Sequence, residues 1–138
     1  MDIDKRAYVG NKEMALKANT YIDNSAKSFN KFIDNINEGI FANNLIFGIG
    51  ITAIYNIANH SSDSELIAKA SKLGINHFID DSPSLWGAEL LGAEIIGSDQ
   101  IQGLTGDSQV FISANPCYHD KMIAKLVRLG IKHENIFK

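Results

Sequence analysis

The chain has 138 residues, of which 45% are hydrophobic, and it carries a net charge of −3 with a pI near 5.7. This size and composition suit one globular domain with its own core. The acidic balance argues against nucleic acid as a partner, because binding to phosphate backbones needs a clustered positive face. No stretch has the roughly 18 to 20 apolar residues that span a bilayer, and the amino terminus lacks a secretory apolar segment, so we expect a cytoplasmic protein without a membrane span.

Residues 1–43 are predicted to form a helical extension. Apolar residues recur at spacings of three and four from Met14 to Ile40, which predicts an amphipathic helix or helix pair that ends near Gly39. Three roles remain open for this segment: a helix that flanks and closes the core, a dimerisation helix, or a membrane-surface helix. Its six basic residues are balanced by six acidic ones, which disfavours the membrane-surface role.

Residues 44–138 alternate short apolar runs with helical patterns. Such alternation predicts an α/β fold, a small doubly wound and mostly parallel Rossmann-like sheet that helices cover on both faces. The predicted elements, in chain order, are a strand in LIFGI, a helix over Ile51–Leu73 that breaks at HSSDSE, strands at Ile75–Asp80 and Ala93–Ile96, a short helix over Ser98–Gly103, a strand at Gln109–Ala114, a helix from Pro116 to Leu129 that stops at Gly130, and a last strand in ENIF.

The stretch GIGITA follows the first strand and opens a helix, and it fits the pattern G-x-G-x-x-G/A. In that pattern Gly48 permits the sharp turn, Gly50 lets a pyrophosphate approach the backbone, and Ala53 allows close packing of helix on strand. The N–H groups of Ile51, Thr52 and Ala53 would then point at the anion, helped by the helix dipole. The alternative interpretation is a structural corner without a ligand.

Asp80 and Asp81 follow the second strand, where an acidic residue can accept hydrogen bonds from a ribose. Asp80 is the better candidate because it directly follows the apolar run. No Lys or Arg occurs between Leu73 and Asp120, so a 2′-phosphate is disfavoured and a nicotinamide dinucleotide should be NAD and not NADP. The alternative is that Asp80 only caps the turn that follows it.

The stretches GIG, FIDDSPSLWG, GAEIIG and VFISANPCYHDKMIAKLVRLGIKHENIF resemble the Rossmann-like domain of bacterial surface-glycan enzymes, such as capsule sugar-nucleotide epimerase/dehydratases and sialic-acid-type sugar acetyltransferases. The resemblance covers residues 44–138. It implies that Gly48, Gly50 and Asp80 contact a nucleotide, nucleotide sugar or dinucleotide, and that Ser113 and Asn115 line the cleft. The chain departs from the family at Ile49 and Ile51, where smaller residues are common and bulky side chains could fill the phosphate space.

Other motifs add little chemistry. The single cysteine, Cys117, precludes an intrachain disulfide, and the four histidines show no metal-ligand spacing, so we expect no metal. Cys117 and His119 are interpreted as a small residue near the cleft and a solvent-facing imidazole. Trp86 either stacks on a base or sugar, or covers a sheet edge or subunit contact.

No residue is assigned a catalytic role, and whether the chain is an enzyme is left undecided. The leading hypothesis is an accessory module in bacterial surface polysaccharide biosynthesis, which binds NAD or a nucleotide sugar and acts as a homodimer or beside a partner enzyme. One alternative is a small NAD-dependent oxidoreductase or sugar-modifying transferase fragment whose site is completed by oligomerisation. Another is a structural dimerisation domain.

Overall fold

The computed structural model describes residues 5–60 and 69–138, with side chains for residues 20–60 and 69–138. The predicted helix break at HSSDSE lies mostly outside the described residues. The helices are α1 (Lys5–Asn37), α2 (Ile51–Asn59), α3 (Ala70–Leu73) and α4 (His119–Leu129), and the strands are β1 (Asn43–Phe47), β2 (His77–Ile79), β3 (Glu89–Leu90), β4 (Ala93–Ile96), β5 (Ser108–Ile112) and β6 (Ile136–Phe137). Short 3₁₀ segments cover Pro83–Leu85, Ser98–Asp107, Pro116–Tyr118 and His133–Asn135.

The six strands form one sheet in the order β3-β4-β2-β1-β5-β6, and all pairings are parallel except that of β3 with β4. The five parallel strands therefore run outward in both directions from β1, which is the order of a doubly wound sheet. This confirms the predicted α/β, mostly parallel, Rossmann-like fold with an amino-terminal helix. Strand order reverses between β1 and β5.

β3 is an element that the sequence analysis did not predict. It is two residues long and pairs with β4 through a turn at Leu91 and Gly92, whose φ angles are 50° and 82°. Two successive positive φ angles are typical of the tight turns that join antiparallel strands. Such a short edge strand carries no readable alternation of apolar and polar residues, which explains why the pattern missed it.

Two apolar layers enclose the sheet because successive strand residues point to opposite faces. On one face, α1, α2 and α3 pack against residues such as Ile46 and Phe111. On the other face, α4 and the 3₁₀ segment Ser98–Asp107 pack against residues such as Phe47 and Ile112. Helices thus cover both faces, and the ends of the strands are left to form a site.

The second half of α1 is part of the core. Phe29, Phe32 and Ile33 are at most 5% exposed and belong to the same apolar cluster as β1 and β5. The helix runs antiparallel to β5, since the Phe32 carbonyl accepts a hydrogen bond from Gln109 at the start of that strand, whereas Tyr21 reaches Ala114 just beyond its end. α1 therefore brings Tyr21 to the carboxyl edge of the sheet.

Candidate functional site: the carboxyl edge of the sheet

The candidate site lies where β1 and β5 end side by side. The strands pair in parallel up to Phe47 and Ile112, and the ladder continues one step further through a hydrogen bond from the Ser113 N–H to the Phe47 carbonyl (2.8 Å). Gly48 and Ser113 therefore stand next to each other at the point where strand order reverses. In open α/β sheets this point is the usual location of a ligand.

The glycine turn is packed directly on Ser113. Gly48 has φ = +97°, and a Cβ built there would lie 2.5 Å from the Ser113 carbonyl oxygen. A Cβ at Gly50 would lie 2.7 Å from the same oxygen and 2.9 Å from the Ser113 hydroxyl. Both positions therefore require glycine. At Gly48 the positive φ angle and the contact with Ser113 both exclude a side chain, whereas at Gly50 only the contact does.

The Ser113 hydroxyl also bonds the start of α2. It accepts a hydrogen bond from the Ala53 N–H (2.9 Å) and lies 2.9 Å from the Thr52 hydroxyl, and Ser113 is only 2% exposed. The Ala53 amide, one of the three predicted to face an anion, is thus engaged within the protein. The N–H groups of Ile51 and Thr52 have no hydrogen-bond partner among the described residues, as is normal for the first turn of a helix.

The two isoleucines of the turn leave space for a ligand. Ile49 packs against the core cluster beneath α2, and Ile51 is 83% exposed. A cavity of about 170 Å³ opens beside the turn, lined by Tyr21, Gly50, Ile51, Thr52, Ala114 and Asn115. The Asn115 side chain caps the next segment by accepting a hydrogen bond from the Cys117 N–H (3.2 Å).

Asp80 and Asp81 lie at the end of β2, but each is partly engaged. Asp80 caps its own turn, because its Oδ1 accepts a hydrogen bond from the Ser82 N–H (2.8 Å), while its Oδ2 has no partner in the described part of the chain. Asp81 accepts hydrogen bonds from the Ser98 hydroxyl (2.6 Å) and from the Lys125 ammonium (2.8 Å). Partial burial opposes ionisation of Asp81, but the bonds from Lys125 and Ser98 outweigh it, so its pKa is lowered.

A second cavity, of about 330 Å³, lies on the α4 side of the same edge. Its lining consists of Phe47, Gly48, Asp80, Asp81, Ala114, Tyr118, Lys121, Met122 and Lys125. The two lysines were missed in the sequence because they follow the interval that lacks basic residues. Their i, i+4 spacing on the helix after β5 was the available signal, since it places both on one side of α4.

His119 is buried, which corrects the interpretation of a solvent-facing imidazole. It is 7% exposed, its Nε2 lies 2.8 Å from the Ala114 carbonyl oxygen, and its ring is 5.9 Å from that of Tyr21. The Tyr21 hydroxyl donates to the same carbonyl. Cys117 is exposed, and within the described residues no hydrogen bond joins its thiol to His119, as a nucleophilic pair would require.

Trp86 covers the sheet edge. Its indole N–H donates to the Asp80 carbonyl (2.7 Å), and its ring lies so close to Gly97 that a Cβ there would be 2.6 Å from Cζ2. This contact fixes the segment between β2 and β4. The stacking role for Trp86 stays a prediction.

Within the described ranges, no group of three or more His, Cys, Asp or Glu side chains could hold a metal ion. No helix there is both long enough and apolar enough to cross a membrane.

No protein-family model and no curated protein matches this chain. Three solved structures of the repressor RSP are similar. RSP with β-NAD⁺ and operator DNA is 18% identical over 75% of this chain and 46% of that chain, with a TM-score of 0.46, and RSP with β-NADH is 24% identical over 68% and 45% of the two chains, with a TM-score of 0.46. RSP described as a Rex-family repressor is 20% identical over 75% and 48% of the two chains, with a TM-score of 0.48. This chain thus spans about half the length of those proteins. None of the three is a surface-glycan enzyme.

The prediction that nucleic acid is not a partner is contradicted by the RSP complex with operator DNA. That prediction used the net charge of the whole chain, whereas phosphate binding depends on local groups of Lys and Arg. Within residues 5–20, four basic residues accompany one acidic residue, which the net charge of −3 conceals.

Proposed function

We propose that this chain is a nucleotide-binding module that holds the diphosphate of NAD or of a nucleotide sugar at the glycine turn. The observation that carries the proposal is the pair of N–H groups of Ile51 and Thr52, which have no partner in the described part of the chain and border an open cavity where strand order reverses. Amides at the start of a helix bind anions through hydrogen bonds and the helix dipole. The contact of Gly48 and Gly50 with Ser113 supports the proposal, because it holds the turn rigidly.

The larger cavity supplies groups for the rest of the nucleotide. The Asp80 Oδ2 can accept a hydrogen bond from a ribose hydroxyl while Oδ1 keeps the turn in place. Lys121, which has no partner among the described residues, borders the same cavity. The preference for NAD over NADP therefore rests on Asp80 alone and not on an absence of cations.

The role in surface-glycan biosynthesis, beside a catalytic partner, rests on the sequence resemblance. The competing proposal of a small oxidoreductase or transferase fragment requires catalytic groups from a second chain. Copurified cofactor, detected by mass spectrometry, would favour that alternative.

A charge change at an exposed position of the turn tests the proposal. Ile51→Asp places a carboxylate beside the free amides, where it suits the helix dipole but repels a diphosphate; Ile51→Asn is the matched neutral control. Two like charges a few ångströms apart near a protein surface repel by roughly 1–3 kcal/mol, which corresponds to a loss of about fivefold to more than about hundredfold in affinity.

Calorimetric titrations with NAD, ADP, UDP-glucose and S-adenosylmethionine would provide the measurement. We expect at least one diphosphate ligand to bind the wild type and Ile51→Asn, and to bind Ile51→Asp at least about fivefold more weakly. Absence of binding to every diphosphate at millimolar concentration would refute the proposal, and so would equal binding by the two variants.

A second candidate function, self-association, is favoured by an exposed apolar patch on α1 and α2. Ile22, Ile51, Ile54 and Tyr55 are 36 to 83% exposed, and three of them line a small cavity with Thr52. Contiguous apolar surface of this kind often marks a protein contact. Light scattering after size-exclusion chromatography tests it: Ile54→Glu should convert a dimer to a monomer, whereas Val127→Glu, equally exposed on α4, should not.

A further inference from the structure

A third cavity at the carboxyl edge belongs to neither part of the nucleotide site described above. It has a volume of about 260 Å³ and lies between α1 and the start of α4, lined by Tyr21, Asn24, Ser25, Pro116, His119 and Lys138. It shares Tyr21 with the cavity at the glycine turn, so the two cavities adjoin at that side chain.

His119 presents a defined hydrogen-bond acceptor in this cavity. Its Nε2 faces the Ala114 carbonyl, and since a carbonyl oxygen only accepts, Nε2 must carry the proton. In the neutral ring Nδ1 is then an acceptor, and it has no partner among the described residues. His119 is only 7% exposed, so this tautomer is held by the surrounding protein.

The other polar groups of the cavity complement that acceptor. The Ser25 hydroxyl accepts from the Asn56 amide (3.2 Å), and its own proton has no acceptor in the described part of the chain, although Ser25 is only 1% exposed. Asn24 offers both a donor and an acceptor, and Lys138 offers a donor. Among the side chains that the structure describes, no carboxylate lines the cavity.

The His119 acceptor, the Asn24 amide that both donates and accepts, and the donors of Ser25 and Lys138 together match a group that both donates and accepts hydrogen bonds. A hydroxyl does both, and adjacent hydroxyls on one ring can reach several such partners at once. We propose that this cavity binds the hydroxyls of a sugar ring attached to the diphosphate, with one hydroxyl donating to His119 Nδ1. The inference rests on the proposed function. The sugar is either the second ribose of a dinucleotide or the hexose of a nucleotide sugar.

The test compares each sugar-bearing ligand with its parent diphosphate: ADP-ribose and NAD with ADP, and UDP-glucose with UDP. His119→Gln keeps a donor near the Nε2 position for the Ala114 carbonyl but removes Nδ1, and Asn24→Ala removes an exposed amide. Asp23→Ala, one position away and outside the cavity, is the matched control. Thermal unfolding of each variant checks that the fold is retained.

In the wild type and in Asp23→Ala, we expect the sugar-bearing ligand to bind more tightly than its parent diphosphate. In His119→Gln and in Asn24→Ala this ratio of affinities should fall about fivefold, which is the effect of one lost neutral hydrogen bond. Whether the effect appears in the ADP-ribose pair or in the UDP-glucose pair identifies the sugar. If diphosphates bind but the gain from the sugar is absent, or is the same in all variants, the inference is wrong and the proposed function stands.

If no diphosphate binds, the proposed function fails and the cavity is tested by itself. Free ribose and glucose at high millimolar concentration should then move the imidazole ¹⁵N signal of His119 Nδ1 and the amide signals of Ser25 and Lys138. The inference is refuted if those signals do not move. The same spectrum of the ligand-free protein should show the proton of His119 on Nε2, and a proton on Nδ1 alone would also refute it.

Discussion

Substituting Gly50 by alanine tests the contact that holds the glycine turn. The backbone of Gly50 has φ = −99°, which alanine adopts without strain, so only the new methyl group matters. It would lie 2.7 Å from the Ser113 carbonyl oxygen and 2.9 Å from its hydroxyl. The carbonyl belongs to the backbone directly after β5, which the hydrogen bond from the Ser113 N–H to the Phe47 carbonyl holds in place. Overpacking of this kind costs about 1–3 kcal/mol of unfolding free energy, or roughly 3–10 °C in melting temperature for a chain of this size.

Thermal and urea unfolding, followed by circular dichroism, measure the change. Gly103→Ala is the matched control, because a Cβ there meets nothing within 4 Å, and it should unfold like the wild type. Gly50→Ala should also lower the unfolding free energy of a Ser113→Ala variant, measured against Ser113→Ala alone, because the contact with the carbonyl oxygen remains. The reasoning is refuted if Gly50→Ala is as stable as Gly103→Ala.

Three further predictions concern the same edge. The pKa of Asp81 is lowered in the folded state, so its ionised form contributes stability that is fully present above its unfolded pKa of about 3.9 and is lost as pH falls through the folded pKa. Asp81→Asn should therefore weaken the fall in unfolding free energy at acidic pH, measured by urea unfolding at a series of pH values. An unchanged fall would contradict this prediction. Gly97→Ala should displace the ring of Trp86, because the new methyl group would overlap it. Since Trp86 is the only tryptophan in the sequence, its fluorescence maximum should shift to longer wavelength. An unchanged emission spectrum would show that the contact between Gly97 and Trp86 is absent. Tyr21→Phe should lower the unfolding free energy by about 1 kcal/mol, because its hydrogen bond to the Ala114 carbonyl is lost, and a neutral effect would argue against that bond.

Local patterns in the sequence were sufficient for most of the fold. The apolar runs that contain β1, β4 and β5 are bounded by turn residues, and Gly130 ends α4 in a left-handed conformation, as expected for a helix stop. Parallel pairing followed from the alternation of strands and helices. The edge strand β3 was missed because two residues cannot show a period.

The site was harder to predict because its contacts join residues far apart in the chain. The glycine turn could be read from GIGITA, but its fit against Ser113 depends on how closely β1 and β5 approach. The same holds for the lysines of α4, which reach the cavity of Asp80 across more than forty positions. The ring of His119 is buried beside Tyr21 of α1, a helix that lies outside residues 44–138 and their nucleotide-binding pattern.

The most direct test of the account is a titration of ¹⁵N-labelled protein with ADP, observed through its backbone amide signals. The account predicts saturable shifts that are largest at Ile51 and Thr52, whose N–H groups would exchange water for phosphate oxygens, and small at Ala53, whose N–H stays bonded to Ser113. If the amide signals of Ile51 and Thr52 do not move, or if the largest shifts lie away from the carboxyl edge of the sheet, the central claim is wrong.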